Sequence, residues 1–525
     1  MFDRKLVLPQ LLAARAAEAP SELIVQEVAG RSWTNEQLHD GGLRWAAAYR
    51  RLGIDQGDTV LTMLPNGGGA YEAWMGAAWL RAIEVPVNTM YQGRMLEYVI
   101  NNSGATTMVI HDRYVPVLAD VAARLEELKN VVVVGADDLP QLGIRVIDAG
   151  EALDVEPFED QAGAEHYDIA CMIYTSGTTG PSKGVLVPWR ELYEFVVSMP
   201  SGMHTEGRGN YNVLPVFHVS GKISLWSAAA FRSRLVVREL FSLSEFWSDI
   251  KRFDCTTTGL IGSMASMLLR QPPSPDEVDS PLEALAMGPL IPELDEFRAR
   301  FGVKVTSGFG MTEVGAPLAM PDFDVTDWQS CGRPRAGYEV RVVDEHDELL
   351  GPGVVGEFVV RTAEPWMLNA GYWRMPDKTA EAWRNGWFHT GDAMRYDEDG
   401  NYYFVDRIKD AIRRRGENIS SFEVEAYVGE HPDVLECAAI AVPAEVTEDD
   451  VKVVVVRQPG SALAHEQLHE YLSARMPRFM LPRYIEFVDS LPKTPTLRVK
   501  KVELRADARN ANTWDRDRAI LRAPG

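Results

Sequence analysis

Long apolar stretches are missing from this chain of 525 residues. A membrane span needs roughly eighteen consecutive apolar residues, and no run comes near that, so no membrane partner is expected. Cysteine is scarce. The four present (Cys171, Cys255, Cys331, Cys437) are scattered, with neither metal-like nor redox spacing, and point to buried thiols in a reducing cytoplasm. Positive charge is also short, with 53 Lys plus Arg against 76 Asp plus Glu and a net charge of -23. That balance argues against nucleic acid as a main partner, and it means that any phosphate site must be made basic locally. The start, Met1-Phe-Asp-Arg-Lys5, lacks the apolar core of a signal peptide, which again favours a cytoplasmic location. There is no internal repeat. What is present is a hydrophobic fraction of 46%, ordinary for a globular protein, and a length beyond what one core supports.

Through residues 1–170, helical and strand patterns alternate. Arg44 to Leu52 reads as helix, Thr59 to Leu64 as strand, Ala70 to Ala82 as helix, and Glu84 to Val87 and Val131 to Val134 as strands. Residues 190–320 repeat the style, so a large α/β domain is expected. From 330 to 405 the runs are short and β-rich (Tyr338 to Val343, Gly356 to Arg361, Tyr402 to Val405), which suggests a small β-barrel-like subdomain. Beyond Asp406 the pattern becomes a compact α+β domain. The expected boundary divides residues 1–406 from 407–525, and Ala506 to Gly525 reads as a polar peripheral tail or helix.

The chemistry concentrates in Tyr174-Thr-Ser-Gly-Thr-Thr-Gly-Pro-Ser-Lys-Gly-Val185, after the apolar run Ile169 to Ile173. Gly177, Gly180 and Gly184 free the backbone, while Thr175, Ser176, Thr178, Thr179 and Lys183 supply hydroxyls and an ammonium. Backbone N–H groups, hydroxyls and one cation in a turn form an anion cradle suited to a polyphosphate. The spacing differs from the common phosphate loop, because Ser182 precedes Lys183 and Gly184 follows it. A mobile polar turn after a strand is the plain alternative. Three further stretches stand out: Gly308-Phe-Gly-Met-Thr-Glu313, Trp387-Phe-His-Thr-Gly-Asp392 and Leu214-Pro-Val-Phe-His218. The first offers a ring, a hydroxyl and a carboxylate. The second ends in a carboxylate able to accept two hydrogen bonds from a diol, or to make an Asx turn. The third ends in a His, and a lone His is more often structural than catalytic.

These stretches resemble the signatures of the adenylate-forming enzymes: acyl-CoA synthetases, beetle luciferases and peptide-synthetase adenylation domains. The resemblance covers essentially the whole chain. It implies that the turn at 175–183 binds the phosphates of ATP or of an acyl-adenylate, and that Phe309 stacks on adenine beside Gly288, Gly308, Gly310 and Met311. It also implies that Thr312 touches the α-phosphate, that Glu313 helps hold Mg²⁺, and that Asp392 clamps the ribose with Arg407 as second contact. One carboxylate plus substrate phosphates is a reasonable oxygen set for Mg²⁺. The family usually has Tyr at position 309, so here the ring is kept and the hydroxyl lost. His218 would border the acyl pocket and act at the acyl-phosphate, with Ser263, Met287, Gly288, Gly308 and Gly315 as further pocket positions. Amino-acid-activating relatives carry an Asp in place of His218, so a plain small carboxylic acid is implied.

Asp406-Arg-Ile-Lys409 and Gly416 through Glu425 match the family's hinge and the loop after it, so the C-terminal domain is expected to be mobile, rotating about Lys409. The resemblance has the CoA arm pass Gly416, where absence of a side chain suits a narrow tunnel. Arg413-Arg-Arg415 supplies local positive charge that could meet CoA phosphates, or could be a solvated basic turn. The stretch Gly416-Glu-Asn-Ile-Ser-Ser-Phe-Glu423 is nearest in flavour to the small-acid subgroup that includes carnitine- and crotonobetaine-CoA ligases.

One motif departs from the family. Relatives read Pro-x-Thr-x-x-Gly-Lys near the C-terminus, and here Leu497 replaces the Gly and Arg498 the Lys. That Lys bridges carboxylate and α-phosphate during adenylation. Arginine keeps the charge but exchanges a compact ammonium for a wide planar fork. The expectation is therefore an acyl-CoA synthetase-type enzyme deficient in adenylation, working mainly on acyl-AMP and CoA, with a separate adenylating enzyme as a candidate partner. Non-adenylating relatives of this kind occur in antibiotic biosynthesis. Lys500 would lie on the same face as Arg498 if this segment were a strand, and could rescue the step. The alternatives are a complete ATP-dependent ligase, a ligase loading a carrier protein, and a non-enzymatic adenylate-binding protein.

Overall fold

The apolar runs become strands in the computed structural model, which describes residues 3–160, 162–175, 182–408, 412–414, 417–444, 449–477, 480–494 and 498–517. By packing the chain divides into two units: Met1–Val340 with Val360–Phe388, and Arg341–Val359 with His389–Gly525.

The first unit holds two seven-stranded sheets. One runs in the order Arg145–Asp148, Asn130–Val134, Thr107–His111, Thr59–Met63, Ile83–Pro86, Ile169–Thr175 and Lys183–Pro188. Its neighbours are parallel except the last pair. The other runs Lys304–Thr306, Ala284–Met287, Cys255–Leu260, Gly209–Asn212, Arg234–Val237, Leu23–Glu27 and Ser32–Thr34, again with only the last pair antiparallel. Every residue of Thr59–Met63 is buried, as a parallel strand covered on both faces requires.

Helices cover the sheets. Asn35–Arg51 starts at a capping box in which the Gln37 N–H donates to Thr34 Oγ1 at 3.2 Å and the Thr34 N–H donates to Gln37 Oε1 at 3.0 Å. The expected helix at Arg44 is its second half. Gly68–Trp79 is apolar all round and buried along nearly its whole length, the mark of a core helix. A Cβ at Gly76 would collide with Trp45, so these two helices approach closely only because that residue is glycine. Among the described residues, no helix is long and apolar enough to cross a membrane.

The second unit carries the antiparallel pairing of Trp387–Tyr396 with Tyr402–Arg407, then a four-stranded sheet in the order Val434–Pro443, Asp449–Arg457, Tyr484–Val488, Trp514–Asp515. Helices Ser421–Gly429 and His465–Ser473 cover one face through Val424, Val428, Leu468 and Leu472 against Val451, Val453 and Ile485. This is the α+β unit read from sequence. The expected peripheral tail is corrected in part: Trp514–Asp515 forms an edge strand, pairing Ile485 with Trp514 and Tyr484 with Asp515. Arg483 holds it, with Nε 3.2 Å from Asp515 and Nη1 2.8 Å from Asp450. The polar composition that suggested a tail is that of a short edge strand, where charge is commonly placed. Residues 518–525 lie outside the described residues.

Candidate functional site

The strand Ile169–Thr175 is buried for most of its length and ends at the glycine-rich turn. Strand Lys183–Pro188 leaves the turn antiparallel to it, and the register sets Thr175 opposite Lys183 and Tyr174 opposite Gly184. The two strands form a hairpin whose neck presents a hydroxyl and an ammonium. Ser176, Gly177, Thr178 and Thr179 lie outside the described residues.

A segment that the sequence did not single out lies along this hairpin. The Ala370 N–H donates to Leu186 O (2.9 Å), the Leu186 N–H to Gly371 O (3.0 Å) and the Trp373 N–H to Gly184 O (2.8 Å). A Cβ at Gly184 would meet Met172 Sδ at 2.8 Å and Trp373 Cβ at 3.3 Å, so the close approach needs that glycine. The pairing brings the Tyr372 ring under Lys183, whose Nζ is 4.3 Å from the ring centroid. The Tyr372 hydroxyl lies 3.4 Å from Glu313 Oε1 as donor. Asn369 Nδ2 donates to the Glu313 carbonyl at 2.6 Å. Lys183 and Glu313, far apart in sequence, therefore meet around one tyrosine.

Thr312 and Glu313 form the tip between strands Gly308–Met311 and Gly315–Ala319, and both are buried. Gly315 closes the tip in the left-handed region at φ 64°. Phe309 lies on the first of these strands, opposite Leu318, and is half-buried.

A second residue missed in the sequence is Glu191, on helix Trp189–Val196. It is fully buried, and neither carboxylate oxygen makes a hydrogen bond of normal geometry, although the Gly315 amide offsets part of the cost. Burial first, and the Glu313 charge second, push its carboxyl well above the usual carboxylate range. Among the described residues no group of three or more His, Cys, Asp or Glu could hold a metal by itself. A single buried carboxylate at 313 fits a Mg²⁺ bound mainly through substrate phosphates.

Five of the six expected acyl-pocket residues follow or end parallel strands of the second sheet, whereas Gly315 begins strand Gly315–Ala319 of another sheet. His218 follows Gly209–Asn212, Ser263 follows Cys255–Leu260, Met287 and Gly288 end Ala284–Met287, and Gly308 follows Lys304–Thr306. Ligands of open α/β sheets bind at such ends. His218 caps helix Val219–Phe231, with its Nδ1 3.3 Å from the Ser220 N–H and 2.9 Å from Ser220 Oγ. Met287 is buried and its carbonyl accepts from Ser307 Oγ at 2.7 Å, while Ser263 and Gly288 are exposed.

In the second unit, the Asp392 carboxylate is buried and Arg407 Nε lies 2.8 Å from its Oδ1, across a register that pairs the two residues. Lys409 and Gly416 lie outside the described residues, as does the side chain of Arg413, whose backbone pairs with Asn418. Arg498 is exposed. Its carbonyl accepts from the Thr494 N–H at 2.6 Å and its N–H donates to Thr494 Oγ1 at 3.0 Å, closing a short loop around positions outside the described residues. Lys500 is the N-cap of helix Lys501–Ala506 rather than a strand residue, and its ammonium is 2.9 Å from Glu503.

Comparison with known proteins gives a consistent set of matches. The model of the AMP-binding enzyme family matches residues 12–373, and that of the AMP-binding enzyme C-terminal domain matches residues 423–497. A crotonobetaine/carnitine–CoA ligase of Proteus mirabilis (strain HI4320) is 30% identical over 504 residues, covering 94% of this chain and 97% of that protein. Among solved structures, ATP-bound MatB from Rhodopseudomonas palustris superposes with a TM-score of 0.82 at 25% identity, covering 95% of this chain and 98% of that one. The anthranilate CoA ligase AuaEII in complex with anthranoyl-AMP has the same fold, with a TM-score of 0.86 at 22% identity over 96% of this chain and 97% of that one.

Proposed function

Because the chain belongs to the AMP-binding enzyme family, we propose that it is an acyl-CoA ligase acting through an acyl-adenylate, with a weak adenylation half and an intact thioester half. In the first half a carboxylate oxygen attacks the α-phosphorus of ATP and pyrophosphate leaves. In the second the CoA thiolate attacks the acyl carbonyl and AMP leaves. Thr175, Lys183 and the turn between them hold the phosphates, with Thr312 on the α-phosphate. Phe309 stacks on adenine, and Asp392 with Arg407 holds the ribose. Glu313 would hold Mg²⁺, which neutralises phosphate charge when bound. His218 lies against the acyl-phosphate and offers a ring N–H as a hydrogen bond to the acyl oxygen. The lobe of residues 407–525 turns about Lys409 between the half-reactions, and the CoA arm passes Gly416 with Arg413 near its phosphates.

The observation that carries the weak first half is Arg498 in an exposed loop where the family places a compact ammonium. The lysines beside it in sequence already face carboxylates: Lys493 with Glu436 at 2.5 Å, Lys500 with Glu503 at 2.9 Å and Lys501 with Glu425 at 2.8 Å. A separate adenylating enzyme would then supply the acyl-AMP. A complete ligase is the alternative favoured by similarity along nearly the whole length of crotonobetaine/carnitine–CoA ligases. Two reaction mixtures separate them. Acid, ATP, Mg²⁺ and CoA should give little thioester, whereas synthetic acyl-AMP and CoA should turn over. Equal turnover in both mixtures makes the chain a complete ligase. Replacing CoA by a carrier-protein thiol in the second mixture identifies the acceptor.

A further inference from the structure

A buried ion pair lies outside the residues assigned so far. Glu84, on strand Ile83–Pro86, and Lys222, on helix Val219–Phe231, are each only 2% exposed, and Lys222 Nζ donates to Glu84 Oε2. Glu84 Oε1 accepts from Thr62 Oγ1 at 2.8 Å, and the Lys222 ammonium sits 4.1 Å over the Trp74 ring. Trp74 Nε1 donates to Ala170 O at 3.0 Å, and the ring stacks on Trp189 with centroids 5.1 Å apart. Every polar contact of the pair is thus satisfied inside the core. Two charges gain little stability from such burial, since a well-packed apolar pair of similar volume generally does as well. What the pair fixes is position.

Both ends of the pair lead to the candidate site. Glu84 is in register with Cys171 on the strand that runs into the phosphate turn. Lys222 lies four residues after His218, and its N–H donates to the His218 carbonyl at 3.3 Å. The loop ahead of His218 is tied to the same region: Asn66 Oδ1 accepts from the Val216 N–H at 2.7 Å, and Asn66 Nδ2 donates to Leu214 O at 3.1 Å. On the other side, the Tyr71 hydroxyl donates to Gly221 O at 2.8 Å. The segment 214–222 is therefore pinned before and after His218 by side chains drawn from residues 66–84.

We propose that Glu84 and Lys222 are positioning residues, a buried clamp that holds His218 and the strand feeding the phosphate turn in one fixed register. This rests on the ligase function proposed above. The test uses the full chain with Glu84→Gln and Lys222→Met combined, which removes both charges and keeps both volumes. Either change alone strands a buried charge and will lower Tm sharply, so the double variant decides. It should melt cooperatively near the wild-type Tm. Amide hydrogen exchange within 214–222 should rise while the C-terminal sheet stays unchanged. Turnover of acyl-AMP and CoA should fall about tenfold to a hundredfold in kcat, with KM for CoA unmoved, since misplacement of a reacting group by about 1 Å costs on that order. Tyr71→Phe, which removes only the tie to Gly221, should shift both readouts the same way by less, and it decides the matter if the double variant does not fold. Unchanged exchange and unchanged kcat overturn the clamp. A wild-type protein that forms no thioester from any acyl-AMP overturns the ligase function instead, and the exchange measurement still tests the clamp.

Discussion

Restoring the family residues at 497 and 498 is the sharpest perturbation available. Leu497→Gly with Arg498→Lys returns a compact ammonium and a permissive backbone to a loop whose closure, Thr494 N–H to Arg498 O at 2.6 Å, is made by main chain and survives the change. Arg498 is exposed, so the cost to folding is small. One well-placed electrostatic stabiliser contributes ~3 kcal/mol to a transition state, about a hundredfold in rate. The double variant should therefore raise ATP–pyrophosphate exchange with its cognate acid by about two orders of magnitude. Thioester formation from acyl-AMP and CoA should stay as it was. Lys500→Met is the control: the Lys500–Glu503 pair is exposed, holds with only about 0–1 kcal/mol, and could release Lys500 to act. Wild-type exchange as fast as that of the double variant, or wild-type exchange that Lys500→Met abolishes, refutes the assignment of weak adenylation to position 498.

Three further outcomes follow from the site. Glu313→Gln should lower whatever adenylation the protein performs by about a hundredfold, while leaving Tm near wild type because the tip is held through the Glu313 carbonyl; exchange kinetics and a thermal melt measure the two. Glu191→Gln probes the buried acid. With its folded pKa raised above the ordinary 4.5, Glu191 contributes stability that is complete below that value and is lost as pH rises through the folded pKa. The variant lacks this loss, so its Tm minus that of wild type should grow from about pH 5 upward, and a difference constant with pH would show that the carboxyl titrates normally. Asp392→Asn leaves Arg407 without its charge partner at 2.8 Å and weakens the ribose clamp; nucleotide affinity should drop by about 1–3 kcal/mol, read by calorimetric titration with AMP.

The parts of this molecule that were legible in its sequence are those in which chemistry is local. The strand before the phosphate turn, the helix at Gly68–Trp79 and the edges of the β-rich stretch all announce themselves by composition within ten or so residues. The candidate acyl-pocket residues were named from resemblance, and all but Gly315 follow or end parallel strands of one sheet. What escaped was non-local. Tyr372 reaches Glu313 across 59 residues and Lys222 reaches Glu84 across 138, and neither pairing has a short-range sign. Glu84 did carry one clue, a charge inside an otherwise apolar strand, which a buried strand tolerates only with a partner. Glu191 reads from sequence as an ordinary acid in the first turn of a helix, where it would favour the helix dipole. Only the packing of Gly315 over it reveals that it is sealed from water.

Charge placement bears on the proposed imbalance between the half-reactions. The chain as a whole repels anions at a net -23, so a nucleotide site must be repaired locally. Around Glu313 the groups that offset this are Lys183 over Tyr372 and the raised carboxyl pKa of Glu191, with a divalent cation as the proposed third. An acyl-adenylate brings a single negative charge on its phosphoric–carboxylic anhydride, whereas ATP brings a triphosphate. On the proposed function the first is served by Lys183. The second needs a further cation at the point where carboxylate and α-phosphate meet, since two anions must be brought together there before any bond forms. Arg498, with its charge spread over a planar fork, meets that need less well than a compact ammonium. On the proposed function the demand for extra positive charge is confined to the adenylation step, so Arg498 would weaken that step and leave thioester formation its full complement of groups.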